Sequence, residues 1–524
     1  MEKPKRLAGC ACCGFDRRRF LAAGCATCAG AAGLLTLAPA ARGTPVDKKI
    51  RIRIIYSLHA PQQPRPDWPN VGFDFQPVMD GIHSQLAKQC PSFEFVTSMA
   101  NGAEAAKKIL DEDRSKSIDG YLVVQMNCWN RVVQTIVASG KPTLYADFQY
   151  GGSGGFLVYT AGFLRKRAEN LGFVASSKMD DLVAAVRCFE RIRDGGTPAD
   201  FVAATARIRA ERTPAATDGA CESDQLATLA PDDCLAKMKA SKILAVGGGW
   251  PGIAPAITQE MGIDVVNVPF AEVNAAWEQA DKDQSCEIAD RWQQAAAIVE
   301  GVSRETLETS AAMYLAQKAV LKNHGATAIT INCLGGFYGG HIHAYPCLGF
   351  HELLNEGLIG ACECDLRSTA TMVAMNALTQ GRPGYISDPV IDTSSRQIIY
   401  AHCVASNRAF GPQGRANPYQ ILTHSEDRQG ASVRSLLPVG YMTTTVEFAP
   451  ERKTILFHEG RTVGNVDDDR ACRTKLAVEP KGDIERLFTQ WDQWGWHRVT
   501  VYGDLRQPVF ALADRMGWNV LEEA

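Results

Sequence analysis

The alternation of short apolar runs with helix-like segments restricts the fold of this chain more than any other feature. Between residues 50 and 146 the predicted strands begin at Ile50 and cover Phe93–Val96, Tyr121–Gln125 and Thr143–Ala146. The predicted helices between them cover Phe73–Leu86, Ala103–Leu110 and Val132–Ala138. Strands that alternate with helices pair in parallel through right-handed crossovers. This part of the chain is therefore predicted to form a Rossmann-like α/β domain.

A second α/β pattern follows a polar, aperiodic stretch at residues 207–233, which we interpret as a linker. Its predicted elements are the strands Lys242–Val246 and Ala328–Ile331 and the helices Ile288–Val299 and Glu305–Leu321. After Gln397, extended runs such as Thr443–Phe448 and Thr454–Phe457 predict a β-rich domain. The predicted organisation is an N-terminal α/β domain at 41–205, a linker at 206–240, a second α/β domain at 241–396 and a β-rich C-terminal domain at 397–524.

Residues 1–40 are predicted to be a twin-arginine signal peptide rather than part of the fold. The segment Asp16-Arg17-Arg18-Arg19-Phe20-Leu21 precedes a small apolar run, and Ala38-Pro39-Ala40 provides an A-x-A cleavage site. The apolar run is too short and too weak for a stable membrane span. We therefore expect export by the twin-arginine route to a periplasmic or other extracytoplasmic location.

Composition agrees with a globular protein of several domains. The chain has 524 residues, of which 46% are hydrophobic and 22% charged, and its net charge is −3. These values exclude a disordered or fibrous chain, and no basic surface for nucleic acid is evident. Among the cysteines, Cys221 and Cys234 flank a polar loop and are the pair that best suits a disulfide.

Four metal-type side chains lie where predicted strands end or begin. Glu363 stands at a strand-to-helix junction before Leu366–Leu378, and Asp388 ends an extended segment. His402 closes one apolar strand, and His497 opens another. Taken singly, such residues are more often structural, but together they form an oxygen and nitrogen ligand set that suits Mn²⁺, and less well Fe²⁺, Co²⁺ or Zn²⁺.

The sequence around these residues resembles the L-fucose isomerase / L-arabinose isomerase superfamily over roughly residues 240–524. The matching stretches, in order, are Cys347-Leu348-Gly349-Phe350, Asn355-Glu356-Gly357, Ala361-Cys362-Glu363-Cys364-Asp365, Met372 to Thr379, Ser387-Asp388-Pro389, Ala401-His402-Cys403, Pro418 to Ser425, Glu459-Gly460, Cys472-Arg473-Thr474, and His497 with Tyr502-Gly503-Asp504.

The resemblance implies a fucose/arabinose isomerase-like fold and an aldose–ketose isomerase that binds a small-molecule sugar. Its divalent metal, usually Mn²⁺, would be held by Glu363, Asp388, His497 and, as in the arabinose branch, His402. A proton would move between C1 and C2 through a metal-bound ene-diolate, with Glu363 and Asp388 as the acid/base pair. The family also implies a homo-oligomer, either a trimer or a hexamer.

Three further residues are predicted near the sugar. Trp129 ends the third strand of the first domain, where family members offer a tryptophan to a neighbouring subunit's sugar. His343 lies in a glycine-rich loop and could contact sugar hydroxyls, and His424 matches a family position near the substrate. The loop Gly247–Gly252 formally fits a dinucleotide fingerprint, but Pro251 interrupts its turn and no acid follows at the required distance. No nucleotide cofactor is therefore expected.

Two other functions remain open from the sequence. An exported carbohydrate-binding or sensing protein could retain the metal and the pocket without turnover. A metal-dependent enzyme could also act on another polyhydroxy substrate through the same chemistry. The presence of both acids favours an enzyme over a binding protein.

Overall fold

A computed structural model of the chain describes residues 49–249 and 252–524. The predicted twin-arginine signal lies outside these residues, and so do Trp250 and Pro251 of the glycine-rich loop. No helix in the described part is long and apolar enough to cross a membrane.

The N-terminal part contains a parallel sheet of five strands. These are β1 (Ile50–Ser57), β2 (Phe93–Ala100), β3 (Gly120–Gln125), β4 (Thr143–Asp147) and β5 (Leu171–Val174), in the order β2-β1-β3-β4-β5. The helices are α1 (Gln76–Gln89), α2 (Ala103–Asp113), α3 (Val132–Val137), α4 (Ser153–Arg165), α5 (Met179–Arg187), α6 (Glu190–Arg193) and α7 (Pro198–Arg212). The predicted alternation is confirmed. Helix α1 begins at Gln76 rather than Phe73, because a proline in its first turn favours a start there.

Helices occupy both ends of the segment that the sequence predicted to be an aperiodic linker. Helix α7 extends to Arg212, and α8 covers Pro231–Lys239, so irregular backbone is confined to residues 213–230. This stretch is attached to the rest of the chain. Asp224 forms an ion pair with Arg382, and the Leu229 N–H donates to the Leu378 carbonyl at 2.9 Å.

The next part of the chain contains the strands β6 (Lys242–Val246), β7 (Asp264–Val268), β8 (Ile298–Glu300), β9 (Ala328–Ile331) and β10 (Ile359–Ala361). Four of them form a second parallel sheet in the order β10-β9-β6-β7, and β8 belongs to another sheet. The helices are α9 (Ile253–Met261), α10 (Phe270–Glu278), α11 (Lys282–Ala295), α12 (Arg304–His324), α13 (Cys333–Tyr338), α14 (Cys347–Asn355) and α15 (Leu366–Leu378). The prediction of one helix over Ile288–Val299 is wrong at its end, because Ile298–Glu300 leaves α11 to pair as a strand.

The C-terminal part is rich in β-structure. Its elements are β11 (Tyr385–Asp392), β12 (Gln397–His402), β13 (Tyr419–Leu422), β14 (Ser432–Ser435), β15 (Met442–Ala449), β16 (Thr454–Asn465), β17 (Thr474–Pro480), β18 (Arg498–Tyr502), α16 (Arg506–Met516) and β19 (Asn519–Glu522). Strands β15, β18, β11, β12, β17 and β16 pair in this order, and β15 also pairs with β16, which closes an antiparallel barrel. Strands β13, β14 and β8 form a separate sheet.

The barrel register brings distant parts of the sequence together. Ser387 pairs with Arg498 on one side of β11, and Asp388 pairs with Ala401 on the other. Extending the first register by one residue sets Asp388 beside His497. Asp388 therefore lies inside β11, where pairing with β18 stops, and not at the end of an extended segment as the sequence suggested.

The suggested disulfide between Cys221 and Cys234 is wrong, because both residues are free thiols. Cys234 is fully buried, and its Sγ lies 3.9 Å from Met238 Sδ and 3.8 Å from the Ala374 carbonyl oxygen. A buried thiol of this kind acts as a small apolar side chain in the core.

Candidate functional site

The four predicted metal-type residues come together between the second sheet and the barrel. His497 Nε2 lies 3.2 Å from Asp388 Oδ1 and 3.7 Å from Glu363 Oε2. The His402 and His497 ring centres are 5.4 Å apart. Ligand atoms of Asp388, His402 and His497 all lie within 4.8 Å of one another. This spacing suits side chains that share one small ligand.

Asp365 orients the imidazole of His497. Its Oδ2 lies 3.0 Å from His497 Nδ1, while its Oδ1 caps helix α15 by accepting the Ser368 N–H at 3.1 Å. A carboxylate at Nδ1 holds the proton there and turns the Nε2 lone pair toward Asp388 and Glu363. Within the described residues, His497 Nε2 is buried and has no hydrogen-bond partner.

The carboxylates around His497 differ in proton affinity. Burial, opposed by His497 and assisted by Asp388, raises the pKa of Glu363 to about 8. Burial also acts to raise the pKa of Asp388, but the positive charge of His497 outweighs it, and this pKa is lowered. Against burial, Asp388, Asp365 and Glu363 together raise the pKa of His497 well above its usual range. The cluster therefore favours a positive charge at its centre.

His402 differs from His497 in its tautomer. The Cys403 backbone N–H donates to His402 Nδ1 at 2.9 Å, which assigns the proton of the neutral ring to Nε2. Burial lowers the pKa of His402 to about 4, so the ring is neutral. Its Nε2 is buried without a hydrogen-bond partner among the described residues. An N–H in this position suits a ligand oxygen, and binding of an ion at Nε2 requires that proton to move.

The donor set fits a divalent ion such as Mn²⁺. Glu363 and Asp388 provide carboxylate oxygens, and His497 provides an unpartnered, buried nitrogen with a second carboxylate behind it. Oxygen and imidazole ligands of this kind suit Mn²⁺. The raised proton affinity of His497 has the same origin, since a proton there takes the place of the positive charge that the acids attract.

Glu363 has an unusual backbone conformation. It follows β10 at the edge of the second sheet, and φ is +62° at Glu363 and +52° at Cys364. Residues with side chains rarely adopt this left-handed region, and such conformations concentrate at functional sites. The turn directs the Glu363 side chain toward the barrel residue His497.

Two tryptophans border the cluster. The Trp496 indole N–H donates to Asp388 Oδ1. The Trp129 ring packs edge-on against Trp496, with ring centres 5.6 Å apart, and is 53% exposed. Trp129 is therefore connected to the site through Trp496 of its own chain, and its exposed face is available to a ligand.

His424 lies in an aromatic enclosure on another side of the site. Its ring is within 5.2 Å of Phe337 and 5.7 Å of Tyr345, measured between ring centres, and Asp427 is 3.3 Å away. Burial acts to lower the pKa of His424, but the close Asp427 carboxylate and the charges of Cys403 and Glu426 outweigh it and raise this pKa to about 9. The neighbouring Glu426, whose pKa burial raises to about 8, also interacts electrostatically with Glu363.

The structure does not bring His343 to the cluster. Its ring packs against Trp277 at 5.3 Å between ring centres, and its Nε2 lies 3.7 Å from Glu278 on α10. His343 is exposed there. Its predicted contact with sugar hydroxyls has no support from these neighbours.

Comparison with curated proteins finds distant similarity. The chain is 24% identical over 298 residues to the sulfoquinovose isomerase of Clostridium sp. (strain MSTE9), covering 53% of this chain and 64% of that protein. It is 24% identical over 221 residues to the sulfoquinovose isomerase of Alkalicoccus urumqiensis, covering 41% and 49%, and 23% identical over 202 residues to that of Priestia aryabhattai, covering 37% and 44%. The chain thus spans less than two thirds of the length of these relatives. No protein-family model matches it.

Similarity to solved structures is weak. A sugar ABC transporter from Yersinia enterocolitica is 12% identical, with 57% of this chain and 69% of that chain covered and a TM-score of 0.17. An ABC transporter solute-binding protein from Agrobacterium vitis, bound with alpha-D-tagatopyranose, is 11% identical, with 63% and 87% covered and the same TM-score of 0.17. Scores this low support no conclusion about fold or function.

Sequence reasoning missed two residues that shape the site. Asp365 immediately precedes the predicted helix Leu366–Leu378, and an Asp in that position is a typical N-cap. That signal indicates the capping role of Asp365 but not its contact with His497. Trp496 precedes His497, but no sequence signal indicates that its indole reaches Asp388. That contact depends on the barrel register.

Proposed function

We propose that this protein is a metal-dependent sugar isomerase that interconverts an aldose and a ketose by moving a proton between C1 and C2. The observation that carries the proposal is the convergence of Glu363, Asp388 and His497, with Asp365 holding the far side of the imidazole. Distant similarity to sulfoquinovose isomerases supports a sugar isomerase.

The two acids suit different roles in this reaction. A divalent ion held by Glu363, Asp388 and His497 would supply a positive charge that binds two sugar oxygens and stabilises developing negative charge on them. Asp388 stays ionised and is held by Trp496. Glu363 faces His497 from the edge of the second sheet and is the carboxylate that would take a proton from one carbon and return it to the next.

Other side chains are placed to orient the sugar. The neutral His402 presents an N–H to a ligand oxygen, and the exposed Trp129 offers an apolar face of the kind on which sugar rings pack. His424 and Glu426 lie beyond Glu363 and can contact a more distant hydroxyl or an anionic substituent. This arrangement separates the reacting end of the sugar from the end that determines specificity.

Deuterium incorporation from heavy water tests the proposal. Protein loaded with Mn²⁺ is incubated with aldopentoses, 6-deoxyhexoses, hexoses and sulfoquinovose, and deuterium at C1 or C2 is measured by NMR. We expect exchange with at least one sugar. Glu363→Gln and Asp388→Asn should each reduce it by at least about 10²-fold. His497→Ala should act mainly on metal affinity, so that excess Mn²⁺ restores part of the exchange.

Asp392→Asn is the matched control for Asp388→Asn. Asp392 is also buried on β11, but its carboxylate accepts hydrogen bonds from Ser177 and Ser394. We expect this variant to retain exchange. Tight sugar binding without exchange, in protein shown to contain its metal, would contradict the proposal and favour a carbohydrate-binding or sensing protein.

A further inference from the structure

Two buried cysteines lie in contact beside the site acid Glu363. Cys333 Sγ and Cys362 Sγ are 3.0 Å apart, and the residues are 1% and 4% exposed. Two sulfur atoms that are not bonded normally stay about 3.6 Å or more apart, whereas a disulfide bond measures about 2.05 Å. A small movement would therefore join them.

The backbone positions of the two cysteines suit such a bond. Cys333 comes just after β9 and Cys362 just after β10, and these neighbouring parallel strands pair Thr330 with Ala361. Extending this register by one residue places Cys362 opposite Ile331. Cys333 follows two residues later, where the chain leaves β9 and brings the two sulfur atoms into contact. The bond would link the ends of two strands that already lie side by side.

Glu363 is flanked along the chain by two contacts that connect β10 to β9: a backbone hydrogen bond of Cys364 on one side and the Cys333–Cys362 contact on the other. On its far side the Cys364 N–H donates to the Ile331 carbonyl at 3.0 Å. On its near side, the Cys362 side chain contacts Cys333. We propose that Cys333 and Cys362 form a reversible disulfide, which fixes the Cys362 side of the turn and, together with the Cys364 hydrogen bond, holds Glu363 in its left-handed conformation.

The oxidant that we assign to this reaction is hydrogen peroxide. One thiol attacks a peroxide oxygen and gives a sulfenic acid and one water. The second thiol then attacks that sulfur, forms the S–S bond and releases a second water, so that two thiols and one peroxide yield one disulfide and two waters. An excess of a dithiol reverses the reaction and becomes a cyclic disulfide itself.

Two other buried thiols near the site are arranged differently. Cys403 Sγ and Cys472 Sγ each lie 3.8 Å from the Ser425 hydroxyl. Cys364 is 1% exposed and flanks Glu363 on the other side. Cys364 is therefore a matched control, since it has the same burial and the same distance in sequence from Glu363.

Peptide mass spectrometry after alkylation tests the bond. Folded protein is treated with hydrogen peroxide, desalted and digested. We expect a peptide pair joined through Cys333 and Cys362, absent in Cys333→Ser and Cys362→Ser and retained in Cys364→Ser. The melting temperature of wild-type protein and of Cys364→Ser should rise by at least about 3 °C on oxidation. Absence of the joined peptides in oxidised, folded wild-type protein would overturn the inference.

The effect on Glu363 is measured separately and rests on the proposed function. Oxidised and dithiol-reduced proteins are compared for deuterium exchange after removal of oxidant and loading with Mn²⁺. Exchange that is equal or faster in the oxidised form supports a turn held in place, and a loss of more than about 3-fold on oxidation would contradict it. If the disulfide forms and raises the melting temperature while neither form exchanges deuterium, the inference stands and the proposed function fails.

Discussion

His497 has carboxylates on both sides of its ring, and each side has a separate task. Asp365 fixes the Nδ1 proton, and Asp388 and Glu363 face Nε2. A carboxylate behind a metal-binding imidazole increases its basicity and limits its rotation. The Asp365 carboxylate should therefore affect the binding of an ion at Nε2, although Asp365 lies on the opposite side of the ring.

Asp365→Asn separates this effect from helix capping. Asn caps helices about as well as Asp, so α15 should keep its start and the melting temperature should stay within about 2 °C of wild type. Loss of the negative charge at Nδ1 should weaken Mn²⁺ binding by about 10- to 100-fold, as measured by calorimetry. Ser368→Ala, which removes a hydroxyl beside Asp365 but keeps the charge, is the control and should bind Mn²⁺ nearly as wild type. Unchanged affinity in Asp365→Asn would show that Asp365 has only a capping role.

Ion affinity should increase with pH. The pKa of Glu363 is raised to about 8 and that of His497 well above its usual range, so both groups carry protons at pH 6 and must release them to bind a metal. Affinity rises about tenfold per pH unit for each proton displaced. We expect Mn²⁺ affinity to rise by about 10- to 100-fold per unit between pH 6 and 7.5. Calorimetry in buffers of different ionisation enthalpy counts the released protons, and a pH-independent affinity would exclude this proton competition.

The strand and helix pattern was predictable wherever local signals were strong. Helix α15 has the predicted bounds Leu366–Leu378, because Asp365 caps it and most of its residues, the leucines, alanines and methionines among them, are good helix formers. The end of α11 was missed because Ala295, Ala296 and Ala297 carry no stop signal, and Ile298–Glu300 becomes a strand only by pairing with β13. The partner is more than a hundred residues away, which local sequence does not reveal.

An acid just after β19 supports Arg498, the residue next to His497. Arg498 is fully buried and pairs with Glu523 at 2.7 Å, while its Nη1 donates to the His497 carbonyl at 2.8 Å. Removing one partner of a buried ion pair costs about 3–5 kcal/mol. Glu523→Gln should therefore lower the melting temperature at pH 7 by about 3–5 °C. Glu522→Gln is the control, because Glu522 forms an exposed pair with Arg506, and such pairs contribute little.

The same pair should weaken in acid. The charge of Arg498 and a hydrogen bond from His458 outweigh burial and lower the pKa of Glu523 to about 2, whereas an unfolded Glu has a pKa near about 4.3. A lowered pKa gives stability that is fully present above the unfolded value and is lost as pH falls toward about 2. The difference in melting temperature between wild type and Glu523→Gln should thus shrink from pH 7 to pH 3. A constant difference would mean that Glu523 acts through packing and not through its charge.

The candidate site draws on all the main parts of the molecule. Glu363 comes from the edge of the second sheet, Asp388, His402 and His497 come from the barrel, and Trp129 comes from the first sheet. Sequence resemblance identified these residues as candidates. Their separation along the chain does not predict how far apart they lie in the fold. Barrel closure and register decide which of them meet, and His343 shows that a chemically suitable residue can lie elsewhere.

Protease sensitivity should follow the irregular stretch at 213–230. This stretch is mostly exposed and lacks helix or strand, so a protease of broad specificity such as subtilisin should cut there first. The two fragments should still elute together in gel filtration, because residues before the cut pack on residues after it. Phe173 lies 4.9 Å from Phe488 between ring centres, and the Arg209 guanidinium lies 2.6 Å from Glu485. Asp224→Asn, which weakens the attachment to Arg382, should be cut faster than wild type. First cleavage inside α11 or α12, or separation of the fragments without denaturant, would contradict this arrangement.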